Sequence, residues 1–325
     1  MRGISITSVG GPEVLGWATL DDPTPGPNDL VVELHAAGLN YIDTYHRSGL
    51  YPMKLPLTPG MEGAGVVVAT GPTCKRFQVG DRVAWSAALG SYAELVRVPE
   101  DSAVLVPDGV DLELAAAVML QGMTAHYLVT DTFPLGAGHR CLIHAGAGGT
   151  GLLLIQMAKH LGAEVFTTVG SPDKVDLVRT AGADHVILYR DQDFGTAIEQ
   201  IAGPRAIDVV YDGVGKSVFD RSLDVLRPRG MMVTFGNASG PADPVSPLRL
   251  MQSGSLFLTR PNLTHYIATR AEFERRAGDL FAWIADGWLD IRIGARVPLS
   301  DAAGAHRLLE SRTTTGKVLL IPDVV

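Results

Sequence analysis

The segment from Arg140 to Leu161, RCLIHAGAGGTGLLLIQMAKHL, constrains this chain more than any other. An apolar run (Cys141, Leu142, Ile143) leads into Gly146-Ala147-Gly148-Gly149-Thr150-Gly151, and an apolar helical pattern follows. Strand, glycine turn and helix in that order match a dinucleotide-binding fingerprint, with a purely structural glycine turn as the alternative. Gly146 makes the tight turn, Gly148 lets backbone N–H groups approach a pyrophosphate, and Gly151 lets the helix lie against the strand. The pyrophosphate then meets unpaired donors at the positive end of the helix dipole.

The next strand, Glu164–Gly170, bears on which dinucleotide is bound. In an NAD-binding unit an acidic residue at this strand's end holds the ribose 2′-OH. Here the order is Gly170-Ser171-Pro172-Asp173-Lys174, so the strand end lacks a carboxylate, a hydroxyl follows, and a lysine lies one helical turn on. Such a pocket attracts a 2′-phosphate, which favours NADPH over NADH. Asp173 dissents, but with Pro172 at the first helical position it reads as compensation of the helix dipole.

At 325 residues the chain is long enough for two domains with their own cores. No apolar run approaches the length needed to cross a bilayer, and Met1–Gly10 reads as a short strand rather than an export signal. There are two cysteines, Cys74 and Cys141. Cys141 sits in the expected central strand, which points away from a disulfide and toward a reducing cytoplasm. The net charge of −8 argues against a broad nucleic-acid surface while leaving room for a local basic pocket.

The first 120 or so residues lack a β/α alternation. Short strands are expected at Gly3–Ser8, Val14–Leu20, Leu30–Ala37, Gly63–Ala69, Arg82–Ser86 and Tyr92–Val98, broken by Gly and Pro, with a helical turn in Asn40–Leu50. That pattern predicts a mostly antiparallel, barrel-like domain. From Leu112 the sequence turns helical, and Gly122 is expected to mark a junction between two helices. After the glycine turn, strands are expected at Asp184–Leu188, Ala206–Tyr211, Arg229–Gly236 and Ser255–Leu258, with helices between them, which completes a doubly wound sheet. A helix over Arg270–Gly287, a strand over Asp290–Val297, a helix over Ser300–Ser311 and a strand over Gly316–Ile321 are too few elements for a third domain. They are therefore assigned to the first domain, and the active site is expected in the crevice at the carboxyl ends of the parallel strands, between the domains.

Several stretches carry a family resemblance: AAGLNYIDTYHRSGLYP (Ala36–Pro52), PGMEGAGVV (Pro59–Val67), HAGAGGTG (His144–Gly151), VVYDGVG (Val209–Gly215), FGNASG (Phe235–Gly240) and Thr259–Pro261. With these, the chain resembles nearly end to end the zinc-independent, zeta-crystallin-like NADPH:quinone oxidoreductases of the medium-chain dehydrogenase/reductase superfamily. The resemblance implies an α/β protein with a GroES-like β-barrel catalytic domain, residues 1–121 and 262–325, and a Rossmann NADPH-binding domain, residues 122–261. It implies a homodimer paired through the last strand of the nucleotide domain near Ser255–Leu258, while the charge and hydropathy above lead to no expected membrane or nucleic-acid partner. It also departs from the zinc enzymes of the superfamily. The positions matching their ligands are Asn40 or Tyr41, Met61 before Glu62, and Gln121, so no metal is expected.

By the same resemblance Asn40, Asp43, Tyr45, Tyr51 and Arg260 surround the nicotinamide and substrate. Asn40 would donate to the ribose or the substrate oxygen, and Tyr45 and Tyr51 would wall a flat quinone. For Asp43 a helix-capping role stands beside a catalytic one. The cofactor positions are Asn40, Tyr127, Gly148, Gly149, Thr150, Ser171, Lys174, Tyr189, Phe235, Asn237, Ser239 and Lys317. Of these, Ser171, Lys174 and Tyr189 would hold the 2′-phosphate and Tyr127 would lie by the nicotinamide ribose. For Lys317 the alternative is a surface lysine on an edge strand. His46, beside Tyr45, is expected to introduce a pH dependence near neutrality. Reduction of a quinone by direct hydride transfer leads. Reduction of α,β-unsaturated ketones or aldehydes is the enzymatic rival, and non-enzymatic NADPH binding, crystallin-like or RNA-binding, is the rival outside enzymes.

Overall fold

The computed structural model describes residues Met1–Asp323. The chain divides into two compact units, Met1–Met123 with Ile267–Val325, and Thr124–Tyr266. The expected boundaries, after residues 121 and 261, fall two and five residues before these divisions.

The first unit opens with β1 (Arg2–Ser5), β2 (Gly16–Thr19), β3 (Asp29–Leu39), α1 (Tyr41–Ser48), β4 (Glu62–Thr70), β5 (Arg82–Ser86), β6 (Leu95–Pro99) and β7 (Ala103–Leu105), and α2 (Leu112–Tyr127) runs across the division at Met123. The second carries β8 (Arg140–Ile143), α3 (Gly149–His160), β9 (Glu164–Val169), α4 (Val175–Thr180), β10 (His185–Leu188), α5 (Phe194–Ala202), β11 (Ile207–Asp212), α6 (Phe219–Val225), β12 (Leu226–Thr234), α7 (Pro247–Gln252), β13 (Phe257–Thr259) and α8 (Leu263–Tyr266). The chain then returns to the first unit with α9 (Arg270–Ala285), β14 (Ile293–Pro298), α10 (Ala302–Glu310) and β15 (Lys317–Ile321).

In the second unit the described strands form a six-stranded sheet in the order β10-β9-β8-β11-β12-β13, every pair parallel. The order reverses at β8, the strand that feeds the glycine turn, and a reversal of this kind opens a crevice at the carboxyl ends of the strands. Central strands buried on both faces need apolar runs, which Cys141-Leu142-Ile143 and Val209-Val210-Tyr211 supply.

In the first unit β3 is the organising strand. It pairs antiparallel with β4 along its length, with β6 at its start and with β15 at its end, while β14 adds to β15 in parallel. Bulges near Val31 and Leu34 let one strand serve three neighbours, because an extra residue bends the strand and sharpens its twist. The core of this unit gathers Ile4, Leu30, Val32, Trp85 and Tyr92 from the early segments with Leu299, Val318 and Leu320 from the tail. The tail therefore belongs to this core and not to a domain of its own.

Two sequence expectations are corrected. Gly122 does not separate two helices, since α2 runs through it to Tyr127. Its lack of a side chain serves packing, because a Cβ there would lie 2.6 Å from Val118 Cγ2 and 3.0 Å from Leu280 Cδ1. Also, one helical stretch, Leu112–Thr132, is long and apolar enough to cross a bilayer by length and composition alone. Most of it is buried within the protein, which accounts for the apolarity that the interspersed Gln121, Thr124 and His126 mask in the sequence.

Candidate active site

In the first unit, strand register assembles a buried polar cluster from three distant segments. Leu39 pairs with Val318, which sets Asn40 beside Lys317, and Ala37 pairs with Gly63, which sets Gly38 beside Glu62. The Lys317 ammonium donates to Glu62 Oε1, and to Asn40 Oδ1 at 3.0 Å. Asn40 Nδ2 donates to Glu62 Oε1 at 2.6 Å and to the Gly38 carbonyl at 3.2 Å, and Gln121 Nε2 donates to Asn40 Oδ1 at 3.0 Å. The second Glu62 oxygen accepts the Leu120 N–H at 2.6 Å. Glycine is required at 38, since a Cβ would lie 2.3 Å from Glu62 Oε1.

Lys317, expected at the cofactor, lies in this cluster, and the alternative of a surface lysine on an edge strand is ruled out: it is 1 % exposed, and β15 lies between β14 and β3. Asn40, expected to donate to ribose or substrate, has both amide hydrogens and two acceptor positions filled from within the unit. Its side chain holds the cluster together. No local pattern announces this, because Glu62 and Lys317 are 255 residues apart and each stands in an apolar setting.

Asn40 also begins α1. Its N–H donates to Asp43 Oδ2 at 2.9 Å, and the Tyr92 hydroxyl donates to the same oxygen at 2.9 Å. The capping role weighed for Asp43 is thus present. Burial pushes the Asp43 carboxyl up to about 7, against the hydrogen bonds from Asn40 and Tyr92. Tyr45 is buried with its ring 5.2 Å from that of Tyr51 in an edge-to-face contact, and the Tyr51 N–H donates to the Tyr45 carbonyl. Burial pushes the His46 ring below its ordinary value, whereas it pushes the Asp43 carboxyl up toward neutrality.

The cluster does not fit a zinc ion. Asn40 and Gln121, at the ligand-matching positions, are neutral amides bonded to each other, and the cation among them is an ammonium. Among the described residues no three His, Cys, Asp or Glu side chains converge as a metal site.

In the second unit α3 starts at Gly149 with Gly148 as its cap, and no side chain caps it. A Cβ at Gly146 would lie 2.0 Å from Thr167 Oγ1, and one at Gly151 2.5 Å from the Ala145 carbonyl, so both glycines permit the close turn. His144 underpins it. Ser222 gives its hydroxyl hydrogen to the Val218 carbonyl, so His144 Nε2–H donates to Ser222 Oγ at 2.9 Å and Nδ1 accepts from Thr168 Oγ1 at 3.0 Å. Burial pushes His144 down to about 3, which keeps it the neutral link that this arrangement needs.

At the end of β9, Ser171 caps a helical turn over Pro172–Lys174 and hydrogen-bonds the exposed Asp173 carboxyl, which lowers that group. Lys174 is half-buried. Burial lowers its ammonium, Asp173 opposes this, and the neighbouring guanidinium of Arg190 lowers it further. Arg190 was not singled out from the sequence, although it directly follows Tyr189. Two cations beside a strand end that carries no carboxylate fit a phosphate monoester, and the uncapped α3 start fits a pyrophosphate.

The remaining expected residues divide. Arg260 Nη1 donates to the Gly236 carbonyl at 3.0 Å, tying β13's end to the Phe235–Gly240 loop. Ser239 gives its hydroxyl hydrogen to the Val214 carbonyl at 2.8 Å and accepts the Ser217 N–H, so it braces the same loop that holds Phe235 and Asn237. Asp212 Oδ1 accepts the N–H groups of Val214 and Gly215, and burial pushes this carboxyl up to about 6. Tyr127, expected beside the ribose, is buried and stacks on Tyr266 with ring centroids 4.1 Å apart.

Known proteins share this organisation. Residues 26–108 match the family model described as an alcohol dehydrogenase GroES-like domain, and residues 149–283 match the model described as a zinc-binding dehydrogenase. A quinone oxidoreductase of Pseudomonas aeruginosa is 45% identical over 323 residues, 99% of both chains. A 2-haloacrylate reductase of a Burkholderia species is 40% identical over 322 residues, 97% of both chains. The crystal structure of Escherichia coli quinone oxidoreductase complexed with NADPH superposes with a TM-score of 0.97 at 42% identity, covering 99% of this chain and 100% of that one.

Proposed function

This chain belongs to the quinone oxidoreductase family of the medium-chain dehydrogenase/reductase superfamily, and on that premise we propose that it reduces quinones with NADPH by direct hydride transfer, without a metal. The observation that carries the reading is the Asn40–Glu62–Gln121–Lys317 cluster, which fills with an internal ion pair the positions that would need zinc ligands. Alcohol oxidation relies on a Lewis acid to ionise a hydroxyl, whereas quinones accept hydride without one.

NADPH, when bound, supplies the hydride from its nicotinamide ring. Gly148, Gly149 and Thr150 would hold its pyrophosphate, and Lys174 and Arg190, with Ser171 and Tyr189, its 2′-phosphate. Phe235, Asn237 and Ser239 would shape the nicotinamide end, with Arg260 beside them. Tyr45 and Tyr51 would wall the quinone, Tyr51 offering a hydroxyl to the oxygen that gains charge. Asn40, Asp43 and Lys317 would act from behind, by holding that wall in place.

The 2-haloacrylate reductase relative favours a second substrate class, activated alkenes conjugated to a carbonyl or carboxylate. The acidic balance counts against RNA binding. We place the protein in the cytoplasm, since the Cys74 and Cys141 thiols are both free. We also propose a homodimer paired through β13, an edge strand whose Phe257 is 57 % exposed.

The test follows NADPH and NADH oxidation with benzoquinone, a naphthoquinone, a simple enone and an aldehyde, using chelator-treated protein. NADPH-specific turnover of quinones is expected, and Lys174→Ala should raise KM for NADPH by about tenfold while sparing NADH. Turnover of the enone alone would move the substrate class to alkenes. NADPH binding without turnover would leave a binding protein, and an equal Lys174→Ala effect on both cofactors would remove the phosphate assignment.

A further inference from the structure

Asp43 and Arg47 stand four residues apart on α1, a spacing at which opposite charges commonly pair directly. They do not pair here. Arg47 Nη1 and Nη2 donate to the two oxygens of Glu310 at 3.1 and 2.7 Å, and Nη1 also donates to His306 Nδ1 at 3.1 Å. His306 Nε2 lies 3.3 Å from the Tyr92 hydroxyl, which lies 2.9 Å from Asp43 Oδ2. Asp43, Arg47, Tyr92 and His306 are all buried. Two foreign side chains are thus interposed between the first and last turns of one short helix.

The hydrogens in this chain can be assigned from chemistry alone. A guanidinium only donates, so His306 Nδ1 must accept and the neutral ring carries its hydrogen on Nε2. That hydrogen goes to the Tyr92 oxygen, and Tyr92 passes its own single hydrogen to Asp43. Burial and the Arg47 charge push His306 down to about 3, consistent with a ring that stays neutral. Reversing the order would set N–H against N–H at Arg47, and arginine does not give up its proton. The chain is therefore polar in one direction and cannot serve as a proton wire.

We propose that Tyr92, His306 and Arg47 are positioning residues for quinone reduction, a brace that ties both ends of α1 to the barrel and so sets the Tyr45–Tyr51 wall. Tyr45 lies on α1 between the braced residues, and the Tyr51 backbone is bonded to it, so tilting the helix moves both rings. Misplacement of about 1 Å is enough to lower a rate substantially. Arg47 adds a third anchor, since its Nε and its carbonyl bond the Gly10 carbonyl and N–H. The inference rests on the reading that Tyr45 and Tyr51 face the substrate.

Three variants test it: Tyr92→Phe, which cuts one link; His306→Leu, which cuts two; and His306→Gln, whose amide can accept from Arg47 and donate to Tyr92. Quinone turnover should fall about tenfold in Tyr92→Phe and His306→Leu, with the Kd for NADPH within about twofold of wild type, and His306→Gln should recover most of the loss. Tyr92→Phe should also move the acid limb of kcat to higher pH. Asp43 is then faced by Lys317 of β15 and Glu62 of β4, without the hydroxyl that favours its charged form. Hydrogen exchange of the Tyr41–Ser48 amides, faster in His306→Leu than in His306→Gln, reads the brace without any substrate. Unchanged exchange in both, or equal loss of turnover in His306→Gln and His306→Leu, would overturn the brace. Absence of quinone turnover in the wild-type protein, with the exchange difference between His306→Leu and His306→Gln still present, would overturn the functional reading and leave the brace as a device of the fold.

Discussion

Replacing Asp43 by Asn isolates the thermodynamic cost of a buried carboxylate. The carboxyl is fully buried and rises from its ordinary value of 3.8 to about 7, chiefly because burial penalises its charge. A carboxyl raised in the folded state keeps its proton there while the unfolded chain has already released it. Its contribution to stability is therefore full below pH 3.8, declines as pH rises through the interval, and is exhausted above about 7. Each pH unit in that interval corresponds to about 1.4 kcal/mol, so the whole interval is worth a few kcal/mol, roughly half or more of it between pH 5 and 7. The substituted amide cannot ionise, while its carbonyl oxygen can still accept from Asn40 N–H and the Tyr92 hydroxyl. The stability of Asp43→Asn relative to wild type should thus improve steadily from pH 5 to 7 and level off above it. Urea unfolding followed by tryptophan fluorescence is the assay, because Trp17, Trp85, Trp283 and Trp288 all belong to the first unit. Parallel pH profiles for the two proteins, or a gap moving in the opposite direction, would refute the reasoning.

Two further outcomes follow from other parts of the structure. Lys317→Met leaves Glu62 buried without its cation and should destabilise the first unit by about 3–5 kcal/mol, with Glu62→Gln added on top restoring part of the loss in the same urea assay. If the chain pairs through β13 as proposed, Phe257→Asp, which places a charge on that exposed edge strand, should shift sedimentation toward the monomer; an unchanged sedimentation profile would remove β13 from the proposed interface.

The legible parts of this protein share a physical property: they are local. The turn from Gly146 to Gly151 and the alternation after it were readable because strand, turn and helix propensities act over a few residues, and β8, α3 and β9 formed where those propensities placed them. Strand ends were less well placed. The first strand ends at Ser5 and not Ser8, and the tail strand begins at Ile293 and not Asp290, since pairing partners decide where a ladder stops. Gly122 misled because a glycine that breaks a helix and one that admits Leu280 look alike in sequence.

The candidate site divides along the same line. The residues around the nucleotide turn lie within one contiguous segment, so the glycines, Ser171, Lys174 and Tyr189 could be named together; only Arg190 escaped, as its closeness to Lys174 is a matter of side-chain placement. The cluster behind Asn40 could not be read this way. Lys317, Glu62, Gln121, Tyr92 and His306 come from a tail strand, a barrel strand, a long helix, a loop and a late helix. The sequence by itself determined the nucleotide-binding architecture, because residue type and short spacing are enough to specify a strand, a glycine turn and a helix in order. Only the tertiary structure decided that Lys317 is an internal cation, that Asn40 is fully engaged and that Asp43 titrates near neutrality, because burial and hydrogen-bond partners are properties of packing across the chain.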